Sequence, residues 1–132
     1  MMQHAILVET HANVDLLAKV IRKMTADNHY FFIHVDSKAK NYQDFLTLAS
    51  HHVCFTDKRY NVRWGSVDQI YATLELISKA RSIGIDFDYY HLISGQDYPV
   101  HTSRYFDDFF SNSTCSYMEL DSKSPIGPRY MY

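Results

Sequence analysis

Apolar and polar positions along this chain follow two regimes. Short, nearly continuous apolar runs occur at His4 to Val8 (HAILV), Tyr30 to Val35 (YFFIHV), Val53 to Phe55 and Tyr89 to Ile93. Runs of this length with β-branched and aromatic residues predict strands, and the near-continuous ones predict strands buried on both faces. The intervening stretches carry helical spacing. Val14, Leu17, Ala18, Ile21 and Met24 recur at that period behind Asn13, a residue suited to capping a helix, and Asp27-Asn28 closes the segment. A weaker helix covers Tyr42 to Ala49. The clearest one has Val67, Ile70, Tyr71, Leu74 and Ile77 on one stripe. Ser66 and Gln69 form a capping-box pattern at its start, and Gly84 ends it. A helical turn or two is predicted from Ser103 to Phe110, and a fifth strand from Cys115 to Leu120. Alternating strands and helices predict an α/β sandwich with a largely parallel sheet, in which the three most apolar strands lie side by side at the centre.

Length and composition narrow the picture. The 132 residues fit one domain, 1–132, and 46% hydrophobic content supplies a core. Aromatic content is 15%, mostly 11 Tyr and 8 Phe, which favours a sheet over a helical bundle. The net charge of −2 leaves no electrostatic footprint for nucleic acid. Cys54 and Cys115 form no metal spacing or disulfide framework and read as buried free thiols in strands. No apolar run is long enough for a membrane span, and a strand this close to Met1 leaves no room for a signal peptide. The expected location is therefore the cytoplasm, at most peripheral to the inner membrane face. Asn112-Ser113-Thr114, formally a glycosylation sequon, reads as a loop. The Pro- and Gly-containing tail from Ser122 changes character and reads as a chain that stops in mid-fold, with exposed surface suited to self-association.

In a parallel sheet, ligands sit beyond the carboxyl ends of the strands. Here those ends present Glu9-Thr10-His11, Asp36-Ser37-Lys38, Arg63-Trp64-Gly65-Ser66 and Ser94-Gly95-Gln96-Asp97. Neither a dinucleotide fingerprint nor a P-loop is among them. A carboxylate, a Trp, hydroxyls and bases suit a nucleoside, because a carboxylate accepts from a base N–H or a ribose hydroxyl and an aromatic ring stacks on the base. Plain capping of loop ends by Asp and Ser explains the same residues. Asp86-Phe87-Asp88 has the form of a DxD metal motif but precedes its strand, at the wrong end of the sheet. His4, His34 and His91 lie within strands and read as packed or hydrogen-bonded. His51-His52 lies away from the crevice, and His11 stands at its functional end.

Four stretches, HAILVETHANVDLLAKVIRKM, YFFIHVDSKA, VRWGSVDQIYATLELI and FDYYHLISGQDYPVHT, carry a resemblance. In order and spacing they resemble the N-terminal half of the core-2/I-branching β-1,6-N-acetylglucosaminyltransferases (glycosyltransferase family 14), which include peptide O-xylosyltransferases. The resemblance implies a GT-A-like three-layer fold, of which this chain is a truncated N-terminal, donor-binding portion. It implies transfer of a sugar of the GlcNAc or xylose class from a UDP-sugar to a glycan-type hydroxyl, with inversion. The family's uridine-contacting positions fall on Val8, Asp36 and Trp64, where Trp64 replaces the Tyr of some members. Ser94, Gly95 and Asp97 match the motif beneath the reaction centre, and Asp97 either orients a substrate or caps the turn. His11 and Arg63 are further candidates for the substrate site. The family needs no divalent metal, so no cofactor and no metal-binding residue is expected. Its catalytic Glu and the basic side chains that neutralise the diphosphate would lie beyond residue 132, so Glu9 does not match the base. A start at Met1 without an anchor points to a bacterial source. Two alternatives stay open: a UDP-binding module without turnover, and a flavodoxin-like α/β protein without transferase activity.

Overall fold

The computed structural model describes residues 1–118. Four strands form one all-parallel sheet: β1 (His4–Thr10), β2 (His29–Val35), β3 (Val53–Phe55) and β4 (Tyr89–Ser94), in the order β3-β2-β1-β4. Helices α1 (Val14–Met24), α2 (Tyr42–Leu46), α3 (Asp68–Ser82) and α4 (Ser103–Ser111) follow the strands in turn. The result is the expected three-layer α/β arrangement with the three most apolar strands adjacent, but β4, expected at the centre, ends the sheet among the described residues. β1 lies between β2 and β4, so its unbroken apolar run is buried on both faces, with Ala5 and Val8 fully inaccessible.

Strand alternation sorts the core into two halves. Ile6, Val8, Phe31, Ile33 and Val35 face α1 and α2, where Leu17, Met24 and Phe45 meet them, with Phe106 of α4 packed alongside. Ala5, Leu7 and Phe32 face Leu76 and Ala80 of α3. Asn13 caps α1 as its type suggests. It adopts a left-handed conformation (φ 62°), and its side chain accepts from Leu16 N at 3.0 Å.

Four sequence expectations need correcting. The first concerns α3, which buries Ala72, Leu76 and Ala80, while the stripe of Val67, Ile70, Tyr71 and Leu74 is 45–59% exposed. Small residues at i and i+8 let the helix axis approach the sheet closely, and that close fit outweighs the longer but bulkier stripe. The second is the capping box: Ser66 Oγ donates to Asp68 Oδ2 at 3.0 Å instead of capping, and no side chain caps the helix. The third is β4, which is half-open, with Tyr90 and Leu92 42% and 54% exposed, because α3 sits over β1 and β2. The fourth concerns the cysteines. Cys54 is only partly buried and Cys115 is exposed in irregular chain, so residues 115–118 form no strand; the rest of the predicted fifth strand, and the tail from Ser122, lie outside the described residues.

Candidate functional site

Register determines what the carboxyl edge presents. Thr10 of β1 pairs with Val35 of β2, and Glu9 pairs with Ser94 of β4, so three strands end level. The ladder runs one step further on each side: Asp36 N donates to Thr10 O and Gly95 N to Glu9 O, both at 2.8 Å. A polar cavity of about 240 Å³ opens there, lined by Glu9, Thr10, His11, His34, Asp36, Lys38, Val62 and Ser94.

Asp36 is the best-held side chain of this cavity. Its residue is 5% exposed. Oδ1 accepts from Lys38 N at 2.8 Å and Oδ2 from Val62 N at 3.0 Å, with Lys38 Nζ 3.7 Å from Oδ2. One carboxylate thus closes its own turn and also pins the segment that follows β3. Each oxygen keeps acceptor capacity for a ligand N–H or O–H.

The segment after β3 is anchored by residues that no local pattern flags. Arg59 donates from Nε to Val35 O (3.0 Å) and from its terminal nitrogen to Asp36 O (2.9 Å), and its guanidinium lies 3.6 Å from the Tyr42 ring centre. Tyr60 N donates to His34 Nε2 at 2.9 Å, and Ser37 N donates to Tyr60 O at 3.0 Å. His34 is thereby held neutral as an acceptor. Burial pushes its pKa below the ordinary 6.5, with Asp36 pulling upward and Arg59 downward. A basic residue and an aromatic in an irregular loop look like ordinary surface; only the fold places them under the crevice.

The other candidates fall as follows. Val8 is buried in β1 beneath the edge. His11 and Ser94 line the same cavity as Asp36. Gly95 is buried, and a Cβ there would overlap the Thr10 side chain. Asp97 closes the turn: its Oδ2 accepts from Ser94 N at 2.7 Å. Trp64 is 71% exposed, two residues past Val62. Arg63 is also exposed and pairs with Asp68 at 3.5 Å, so it is directed to the start of α3. Glu9 Oε1 accepts from Thr73 Oγ1 of α3 at 2.5 Å.

A second cavity, about 510 Å³ and largely apolar, lies between β4, α1 and α4 and reaches Asp97 and Tyr98. At the opposite, amino edge of the sheet, Asp88 Oδ2 accepts from Gln3 N at 2.7 Å, so the Asp86-Phe87-Asp88 motif is remote from the crevice. His4 and His91 also lie toward that edge, joined by a 3.0 Å Nδ1···Nε2 hydrogen bond. Burial lowers the pKa of His4 and, aided by the neighbouring His4 and His29, holds that of His91 at about 4.

An open parallel sheet with a cleft beyond its strand ends is the arrangement in which α/β domains hold their ligands. Comparison with known families is more specific. The sequence matches the core-2/I-branching enzymes over residues 5–131, and the chain belongs to that family. Xylosyltransferase 2 of Mus musculus is 27% identical over 101 residues, which is 74% of this chain and 12% of the relative's length. The chain therefore spans about an eighth of that relative. Among the described residues, no helix is long and apolar enough to cross a membrane.

Proposed function

We propose that this chain supplies the donor-binding part of a GT-A-type inverting glycosyltransferase, with a UDP-sugar as donor and a carbohydrate hydroxyl as acceptor. The supporting observation is the buried Asp36 carboxylate in the polar cleft of a core-2/I-branching family sheet. In this reading Asp36 accepts from the uracil N–H or a ribose hydroxyl, Val8 forms the floor and Trp64 flanks the base. Gly95 and the turn closed by Asp97 let the sugar approach the sheet edge. The relative's name, a xylosyltransferase, favours a xylose-class donor alongside GlcNAc.

The chemistry is read as independent of a catalytic divalent ion. The crevice residues Asp36 and Lys38 already form a charge pair, and the one DxD motif noted in the sequence lies at the other edge. Turnover by the intact enzyme should not rise when Mn²⁺ or Mg²⁺ is added; a strict requirement for either would overturn this reading.

The deciding measurement is titration of the folded protein with UDP, with CDP as comparison. UDP should bind preferentially, and Asp36→Ala should weaken it by about 10- to 100-fold, the value of one hydrogen bond to a charged group. If Asp36 serves only to close its turn, the variant loses stability while its folded fraction binds UDP as before.

A second reading is a UDP-binding module without turnover. Its support is Glu9, a carboxylate lining the cleft, which is committed to Thr73 instead of being offered to an acceptor. UDP binding without UDP release from any UDP-sugar would favour it.

A further inference from the structure

At the amino edge of the sheet, far from the proposed donor cleft, three ligand-type atoms converge. His4, His29 and Asp107 each offer one ligand atom, and the three atoms all lie within 4.8 Å of one another. His4 begins β1, His29 begins β2 and Asp107 is on α4, so the fold brings together positions up to 103 residues apart. Both imidazoles are fully inaccessible to solvent.

Two hydrogen-bonding facts set this cluster apart from ordinary core polarity. His29 Nδ1 is 2.6 Å from Met24 O, a carbonyl that can only accept, so Nδ1 must donate. Its Nε2 is 2.6 Å from Asp107 Oδ1, a second acceptor, and only a proton or a cation can sit between those two atoms. His4 supplies the other fact. Its Nε2 is buried without a hydrogen-bond partner and stands 3.5 Å from the same Asp107 oxygen. A buried polar atom of this kind calls for an explanation.

We propose that His4, His29 and Asp107 bind a divalent transition-metal ion of the Zn²⁺ class, with a fourth position open. This departs from the expectation that the chain holds no metal, and it is independent of the donor-site reading. Imidazole and carboxylate together suit Zn²⁺ over Mg²⁺ or Ca²⁺. The outer partners are those that metal-bound histidines use: Nδ1–H of His29 donates to a backbone carbonyl, and His4 Nδ1, 3.0 Å from His91 Nε2, is placed to donate to it in the metal-binding tautomer, which leaves both Nε2 lone pairs for the ion. Tetrahedral bonds of about 2.0 Å place ligand atoms about 3.3 Å apart. The His4–Asp107 spacing meets this, and the His29–Asp107 pair opens by about 0.7 Å through a small turn of the partly exposed Asp107. A cavity of about 500 Å³ lined by His4, Asp107, Asn28 and Arg104 adjoins the cluster, and from it water or a small anion would complete the shell. Bound metal would fasten α4, which directly follows the Ser94–Pro99 turn, to the starts of β1 and β2.

The test uses the intact protein, stripped with a chelator and titrated with Zn²⁺ against a chromophoric competitor, and with Co²⁺ for its visible spectrum. One ion per chain should bind, with the intense visible bands of tetrahedral Co²⁺. Asp107→Ala should weaken binding by about 100-fold or more, and His91→Phe by about 10- to 100-fold, the usual range for an outer partner. His51→Gln, an exposed histidine elsewhere, should change nothing. The Asp107 side chain is partly exposed, at 28%, and circular dichroism of the metal-free protein checks that the variant is folded. Unchanged Zn²⁺ affinity in folded Asp107→Ala would overturn the assignment. So would the absence of stoichiometric binding, in which case a proton alone bridges His29 and Asp107.

Discussion

At the scale of single residues, the crevice depends on close approach as much as on charge. Gly95 sits where its backbone N–H donates to Glu9 O, against the Thr10 side chain. Gly95→Ala places a methyl inside the van der Waals envelope of Thr10 Oγ1 and Cβ, with the Thr10 backbone behind. The expected cost is about 1–3 kcal/mol of stability, measured by urea unfolding, because neither neighbour can move without breaking the level strand ends. An equally stable variant would mean that the turn relaxes freely. Trp64 tests the nucleoside side of the site. If it flanks a base, Trp64→Ala weakens UDP binding by about 5- to 100-fold, and Trp64→Tyr largely restores it. Equal affinity of all three proteins would remove Trp64 from the site.

At the scale of elements, the informative segment is the loop after β3. It has no regular structure, yet Arg59, Tyr60 and Val62 fasten it to the end of β2 through Val35, His34 and Asp36. His34 makes that attachment sensitive to pH. Its pKa is lowered in the folded state, so below about 6.5 the unfolded chain binds more protons and stability falls as the pH drops. Above that value the contribution is complete. The facing groups are Asp36 and Glu75, which favour protonation, and Arg59, which opposes it. Unfolding measured at pH 7.5 and at about pH 5 should show the decline, to which His4 and His91 also contribute, and His34→Gln, which keeps an acceptor for Tyr60 N, should make it shallower. An unchanged slope in that variant would assign the decline to other groups.

At the scale of the whole molecule, the described residues leave one apolar face uncovered. Tyr90 and Leu92 of β4 project on the α3 side of the sheet, and Ile70 and Leu74 of α3 are also exposed. A patch of this kind on a 132-residue chain studied alone should drive self-association. Sedimentation should show dimers or larger species, and the pair Leu74→Ser with Leu92→Ser should shift the sample toward monomer. A monodisperse wild-type monomer would count against it.

Sequence alone determined the four strands, the helices between them and the parallel sheet, though not the irregular chain at Cys115 where it predicted a fifth strand. HAILV and YFFIHV read as doubly buried strands because a central parallel strand has no polar face to show, and their sequence reports it directly. The strand ends were equally readable, since Asp36, His11 and Ser94 each follow an apolar run and line one cavity. Tertiary structure decided the rest, for reasons of distance and competition. Which side of α3 is buried could not be read from hydrophobicity, because Ala72 and Ala80 win through their small size, a matter of how near the helix can lie to the sheet. Nor could the grip of Arg59 on β2, because it acts across 24 residues with no periodic signal. The meeting of His4, His29 and Asp107 is the extreme case. Taken one by one they are two strand residues and a helical acid, and only parallel register and the packing of α4 bring their ligand atoms together.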